Sequence, residues 1–342
     1  MKRFSCVLAS AFALLATASP VPATHLEISN GSSVTAGDIS TFKIFAQYSA
    51  AAYCNSKVKL NSTVTCANDA CPDVTSSGAK VVATFSGHLT DIQGFVSTDD
   101  TNKLIVASVR GSNSIRNFIA DLVFIPLPCD LVDGCLIHSG FFLSYKEIED
   151  KMLDGVMAAV LANPSYKVVF TGHSLGAAVA TIAAAYARDM GYKLDLYTYG
   201  SPRVGNQAFV NFVTAQPGGE FRVTHLDDPV PRVPPIFVDY RHTSPEYWLS
   251  DEHGNSTLYA PSDIKICEGF ANTDCNGGTD GLDIPAHLLY FRHISACGLG
   301  GIVLEGALEG RGSRRDVSDE EILAKLNDWT AKDREIAATL TQ

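Results

Sequence analysis

The chain has 342 residues, of which 46% are hydrophobic, enough to bury a sizeable core as one large α/β domain or two small ones. A net charge of −11 argues against nucleic acid or an anionic membrane surface as the main partner. Beyond the first twenty residues, no stretch has the ~18 uncharged apolar residues that a transmembrane anchor needs.

The N-terminus reads as an address. Lys2 and Arg3 precede a short apolar run over residues 4–15, and Ala16-Thr17-Ala18 is a small-residue cleavage signal. Residues 1–18 are therefore expected to be a signal peptide, cut near Ser19 or later near Ala23, with a buried N-terminal helix as the alternative. Residues 19–31 read as a short propeptide or linker. Three sequons, at Asn30, Asn61 and Asn255, fit a glycosylated, exported surface. Cys6 falls in the leader. The remaining cysteines are Cys54, Cys66, Cys71, Cys129, Cys135, Cys267, Cys275 and Cys297. Their even number suggests disulfides, although spacing leaves on the order of a hundred pairings open. Local loops Cys66–Cys71, Cys129–Cys135 and Cys267–Cys275 are one arrangement, and Cys54–Cys297 would then tie the domain ends. A zinc site is disfavoured because no CxxC pair faces a second ligand pair.

One domain is expected over residues 32–298. Residues 38–53 carry Phe42, Ile44, Phe45 and Tyr48 at helical spacing. Residues 81–85, 92–96 and 104–109 read as strands. An amphipathic helix is predicted over 145–163, then a strand (168–171), a helix (175–190), a strand (194–199), a short helix (209–215) and a strand (221–226). This alternation implies an α/β class with a mostly parallel sheet covered on both faces. The tail, residues 299–342, differs: it is glycine-rich and contains the dibasic pair Arg314-Arg315. Beyond that, Ser318 and Glu321 form a capping box before a charged helix with Ile322, Leu326 and Trp329 on one face. It is expected either to dock as an ordinary C-terminal helix or to be a propeptide removed at Arg314-Arg315.

The chemistry centres on "KVVFTGHSLGAAVAT", residues 167–181. A β-branched and aromatic run turns into a small-residue helix, with Ser174 midway between Gly172 and Gly176. A hydroxyl is a weak nucleophile and needs a base beside it. A sharp glycine-flanked turn would lift Ser174 clear of the backbone and aim the Leu175 N–H, at the helix start, towards an oxyanion. G-x-S-x-G is weak by itself; the strand before it and the helix after it make the signal strong. An acid and a histidine should follow in that order. Asp227 and Asp228 sit just past the 221–226 strand, and Pro229 holds Asp228 extended. His242, His253, His287 and His293 come later, and spacing does not choose among them.

Several segments together resemble the secreted lipases of filamentous fungi, the class 3 lipases of the α/β-hydrolase fold, nearest to their mono-, di- and triacylglycerol lipase branch. They are "FAQYSAAAYC", "DDTNKLIVASVRGSNS", "GHSLGAAVAT", "YGSPRVGN", "FRVTHLDDPVPRVPP", "SPEYW" and "DIPAHLLYF", and the likeness runs from about Phe42 to Cys297. The resemblance implies Ser174 as nucleophile, Asp228 as orienting acid, His287 as base, and Ser112 with Leu175 as oxyanion donors. Asp227 matches a position usually held by another polar residue. The likeness also implies disulfides Cys54–Cys297, Cys66–Cys71 and Cys129–Cys135; Cys267–Cys275 is less general.

Directly after Ser112, Ile115, Phe118, Ile119 and Leu122 recur at i, i+3, i+4 and i+7 while Arg116, Asn117 and Asp121 face away. Such a stripe is usually a core helix. Here it resembles the lid of interfacial lipases, whose opening exposes apolar area that water disfavours at ~25 cal/mol per Å². Many relatives carry Trp where this chain has Phe118, and the step from Cys129 to Cys135 is longer than the CxxC of some.

The expectation is a secreted, monomeric serine carboxylesterase that hydrolyses acylglycerols at a lipid–water interface through an acyl-enzyme. It would need no cofactor or metal and would have no nucleic-acid partner. A feruloyl or other aryl-esterase on the same scaffold is the alternative, and a non-catalytic lipid- or wall-binding protein is the alternative from another class.

Overall fold

In a computed structural model, the described residues are 33–112, 114–121, 123–250, 257–297 and 317–340. The signal and linker segments, Asn30, Leu122, Asn255 and Arg314-Arg315 lie outside them.

Helix α1 (Ala36–Asn55) opens on a capping box in which the Thr35 hydroxyl accepts from the Asp38 N–H at 3.2 Å and the Thr35 N–H donates to the Asp38 carboxylate at 2.7 Å. A short α2 (Pro72–Ser77) follows, then strands β1 (Lys80–Ser86), β2 (Gln93–Asp99) and β3 (Leu104–Val109). After β3 come α3 (Ile115–Asp121) and the hairpin β4 (Pro126–Pro128) and β5 (Leu136–His138), which leads into α4 (Ser139–Ala162). The α/β alternation then runs β6 (Lys167–His173), α5 (Leu175–Asp189), β7 (Leu194–Tyr199), α6 (Gln207–Ala215) and β8 (Glu220–His225). It closes with β9 (Glu246–Leu249), β10 (Ile264–Cys267) and α7 (Ile284–Leu288), and α8 (Asp319–Leu340) follows.

The main sheet has the order β1-β2-β3-β6-β7-β8-β9-β10. β3, β6, β7, β8 and β9 are parallel, and antiparallel β1–β2 and β10 flank them. This is the mostly parallel α/β-hydrolase sheet, and the strand-to-helix turns cluster at the C-terminal edge of its parallel strands, where such sheets carry their sites. Side chains alternate along each strand. Val106, Val169, Tyr197 and Val223 pack under α1 with Phe42, Phe45 and Tyr48. Ile105, Ala107, Val168, Phe170 and Leu196 face α4 and α5 on the other side.

The structure adds α2, the β4–β5 hairpin and α7 to the sequence reading, and two further features differ. Helix α4 starts at Ser139, six residues before the predicted start, because Phe141 already packs into the α4–α5 side of the core. The strands β9 and β10 were not predicted: four residues each is too short for periodicity to register, and the sheet edge holds β9 through pairing with β8 and β10 through pairing with β9. All four disulfides join the expected partners, Cys54–Cys297, Cys66–Cys71, Cys129–Cys135 and Cys267–Cys275. Cys54, Cys66 and Cys297 bring their sulfurs together, and all three are consumed in those bonds. Among the described residues, no helix is long and apolar enough to cross a membrane.

Candidate active site

Ser174 sits between β6 and α5 with φ +59° and ψ −130°, a backbone state that L-residues avoid. The flanking glycines make the turn sterically feasible. A Cβ on Gly172 would meet the Gly176 carbonyl oxygen at 2.4 Å, and a Cβ on Gly176 would meet the Val109 carbonyl oxygen at 2.2 Å. Strand, helix and β3 thus approach to distances that no larger residue permits. The Ser174 N–H donates to Tyr199 O at 2.9 Å and its carbonyl accepts from Ala177 N at 2.9 Å, which pins the strained turn at both ends.

The turn after β3 lies against the serine. A Cβ on Gly111 would stand 3.1 Å from the Ser174 Cβ, so half-buried Ser112 follows directly beside it. Leu175 is the first residue of α5, where a helical N–H has no acceptor one turn back.

Asp228 lies just past β8 in a tight turn: its N–H donates to His225 O at 3.0 Å, and Leu226 takes φ +39°. Its carboxylate is fully buried and accepts several bonds. His287 Nδ1 lies 2.9 Å from Oδ1 and 2.8 Å from Oδ2, the Val230 N–H donates to Oδ1 at 2.9 Å, and the Tyr290 hydroxyl donates to Oδ2 at 2.5 Å. The carboxylate therefore holds the Nδ1 proton and leaves Nε2 as the basic nitrogen. His287 Nε2 and Ser174 Oγ are both buried, and neither has a hydrogen-bond partner. The Ser174–His287 bond is thus not formed in this state, as is common before substrate binds.

Two polar side chains that the sequence reading did not single out brace the backbone that carries His287 and Asp228. His173 Nε2 lies 2.8 Å from the His287 carbonyl oxygen, which can only accept, so Nε2 carries the proton. Its Nδ1 then accepts from the Tyr53 hydroxyl at 2.8 Å. Burial, reinforced by the neighbouring His287 ring, holds His173 well below its ordinary pKa, so it remains a neutral strut. Asn276 Nδ2 donates to both Leu226 O and Asp228 O, each at 3.0 Å, bracing the turn that carries Asp228. Tyr290 was read only as part of an apolar run; a buried phenol needs a partner, which is the one signal it offered.

Of the histidines that spacing left open, only His287 meets Asp228 among the described residues. His242 Nε2 donates to Pro231 O at 2.7 Å, His293 is exposed, and His253 lies outside the described residues. Asp227 does not reach the imidazole. It is raised above the usual carboxylate range by burial, with the negative charge of Asp283 adding to the effect.

Helix α3 packs on the segments that carry Asp228 and His287. Ile115 and Ile119 are buried against Val230, Val233 and Leu288, and Phe118 stacks on Phe141 at 6.3 Å between ring centroids. With α3 in this position, Ser174, Asp228 and His287 each have 0% exposure. Asn61, the sequon within the described residues, is exposed.

A nucleophile-type turn in a mostly parallel sheet, with an acid–imidazole pair on the loops after later strands, defines an α/β-hydrolase. The lipase (class 3) family matches residues 106–238. A secreted mono- and diacylglycerol lipase of Fusarium solani is 48% identical over 95% of this chain and 96% of its own length. One from Penicillium cyclopium is 41% identical over 77% and 88%, respectively. The crystal structure of a mono- and diacylglycerol lipase from Aspergillus oryzae superposes with TM-score 0.72 at 38% identity, covering 76% of this chain and 98% of that one. The chain belongs to the class 3 lipase family and is a carboxylic ester hydrolase.

Proposed function

We propose that this protein is a secreted acylglycerol lipase, acting on mono- and diacylglycerols as its named relatives do, with Ser174, His287 and Asp228 as its triad. The observation that carries the reading is the buried Asp228–His287 pair, whose Nε2 is buried and unpartnered, as is the Ser174 hydroxyl. His287 Nε2 takes the Ser174 proton as Oγ attacks the ester carbonyl. Asp228 keeps the imidazole in the required tautomer and stabilises its positive form. The Leu175 N–H and the Ser112 N–H and hydroxyl stabilise the tetrahedral oxyanion; losing one such donor costs on the order of 10²–10³ in turnover. The alcohol leaves with the proton from His287, and water, deprotonated by the same nitrogen, releases the fatty acid.

Helix α3 acts as the lid, and its apolar stripe, buried here, turns to lipid when it opens. That stripe, continued by Phe118, favours a lipase over an aryl-esterase. Residues 1–18 direct export, and four disulfides suit an oxidising destination. The enzyme works as a monomer at a lipid–water interface, with Asn30, Asn61 and Asn255 as glycan acceptors.

Ser174→Ala tests the assignment. It should lower hydrolysis of an emulsified diacylglycerol by about 10⁴-fold or more with an unchanged melting temperature; retained activity refutes the triad. A higher specific rate on methyl ferulate than on diacylglycerol would move the enzyme to the aryl-esterases.

A further inference from the structure

Helix α8 lies outside the α/β sandwich, and it packs on the moving parts of the site. Ile322 and Leu326 are 3% and 1% exposed, in one apolar cluster with Ile115 and Ile119 of α3, Val230 and Val233 beyond Asp228, and Leu288 beside His287. Trp329 meets Phe124, just past α3, edge to face at 5.1 Å. At the outer end of α3, Arg116 Nε donates to Asp319 Oδ1 at 2.6 Å, and the same guanidinium bonds the Val317 carbonyl. Other residues of α8 anchor it to the body of the domain. Asp333 pairs with fully buried Arg203 at 3.0 Å and accepts the Phe237 N–H at 3.0 Å, and the Asn327 carbonyl accepts the Gly281 N–H at 3.0 Å.

This division of contacts has a mechanical meaning. Asn327 and Asp333 hold α8 to the framework, while Asp319 pairs with Arg116 of α3, Ile322 and Leu326 share a cluster with α3 and the loops beside it, and Trp329 meets Phe124 just past α3. Ile115 and Ile119, the residues of α3 that must turn to lipid, share their apolar cluster with Ile322 and Leu326 as well as with Val230, Val233 and Leu288. Helix and lipid therefore compete for one surface, and α8 has the advantage of a tether, which keeps its effective concentration near the millimolar range.

We infer that α8 is a built-in competitor of the lipid interface, latching α3 over Ser174 until a lipid surface displaces it or a cut at Arg314-Arg315 removes the tether. The inference rests on the reading of Ser174 as nucleophile and α3 as lid. A latch that favours the closed state by a given factor lowers the open population, and hence the reactivity of Ser174 in water, by the same factor.

The test is the rate at which a water-soluble fluorophosphonate labels Ser174 in the full chain without lipid. Ile322→Asp/Leu326→Asp should raise that rate by about tenfold or more. A synthetic peptide of residues 317–340 added in trans should bring it back, and a triacylglycerol emulsion should erase the difference. Because the double aspartate variant could misfold, Asp319→Asn/Trp329→Leu, at positions nearer the surface, is measured beside it and should also label faster. Labelling at the wild-type rate in either folded variant overturns the latch and leaves the catalytic assignment standing. If no form is labelled even in the presence of lipid, the Ser174 reading falls and the latch falls with it.

Discussion

Gly200 closes the turn after β7 with φ +56°, and a Cβ built on it would lie 2.9 Å from each of Asp228 Oδ2, His287 Cε1 and His287 Nδ1. The substitution Gly200→Ala thus places a methyl against both members of the acid–imidazole pair. Ordinary contact for such atoms is about 3.5 Å, so roughly half an ångström must be found. The Gly200 N–H is bonded to Val223 O at 3.1 Å, which resists retreat of the turn. An alanine in the left-handed region costs about 1–2 kcal/mol, and overpacking adds about 1–3 kcal/mol. A total of about 2–5 kcal/mol corresponds to a fall in melting temperature of roughly 5–10 °C for a domain of this size. The catalytic effect should be larger in proportion, since a misplacement approaching 1 Å can cost about 10²-fold in rate. The assay is kcat on a soluble short-chain ester beside thermal melting of the same preparation. A folded Gly200→Ala protein with wild-type kcat would refute the claim that this glycine sets the position of the pair.

Removing the phenol in Tyr290→Phe deletes one donor to the Asp228 carboxylate while Val230 and His287 remain. Hydrogen bonds to charged groups are worth about 1.5–3 kcal/mol, so kcat should fall about tenfold with KM unchanged; a fall in stability with no change in kcat would make Tyr290 a purely structural residue. Acid should weaken the fold through buried neutral histidines. Burial pushes His138 down to about 4, against the raising effect of a backbone hydrogen bond with Val123, and burial likewise holds His173 and His242 well below their ordinary value. An unfolded histidine titrates near 6.5, so between about pH 6.5 and 4 the unfolded chain binds more protons and stability rises with pH. The stabilisation is whole above about pH 6.5 and is lost as pH falls towards 4, by up to about 1.4 kcal/mol per unit for each histidine. Urea midpoints measured from pH 7 to 4.5 should decline, and His138→Leu should flatten the slope; a pH-independent midpoint would contradict the burial argument.

The order of elements from α1 to β8, apart from α2 and the β4–β5 hairpin, was legible in the residues because each longer element buries one stripe, and burial writes its period into the chain. The G-x-S-x-G turn was legible for a related reason: close backbone approach tolerates only glycine, as the 2.2 Å and 2.4 Å contacts of a Cβ at Gly176 and Gly172 make plain. Periodicity and local sterics are properties of neighbouring residues, so they can be read along the chain. The choice of His287 over His242 and His293 could not be read that way without the family likeness, because it depends on which loops end at the same edge of the sheet. Tyr53, His173, Asn276 and Tyr290 escaped for the same reason: their partners are 120, 114, 48 and 62 residues away. The capping box and apolar face of α8 were evident as a helix, but only the folded chain decided that the face lies on α3. A single face can satisfy its burial against any apolar surface within reach, and the surface it finds is settled by the packing of everything else.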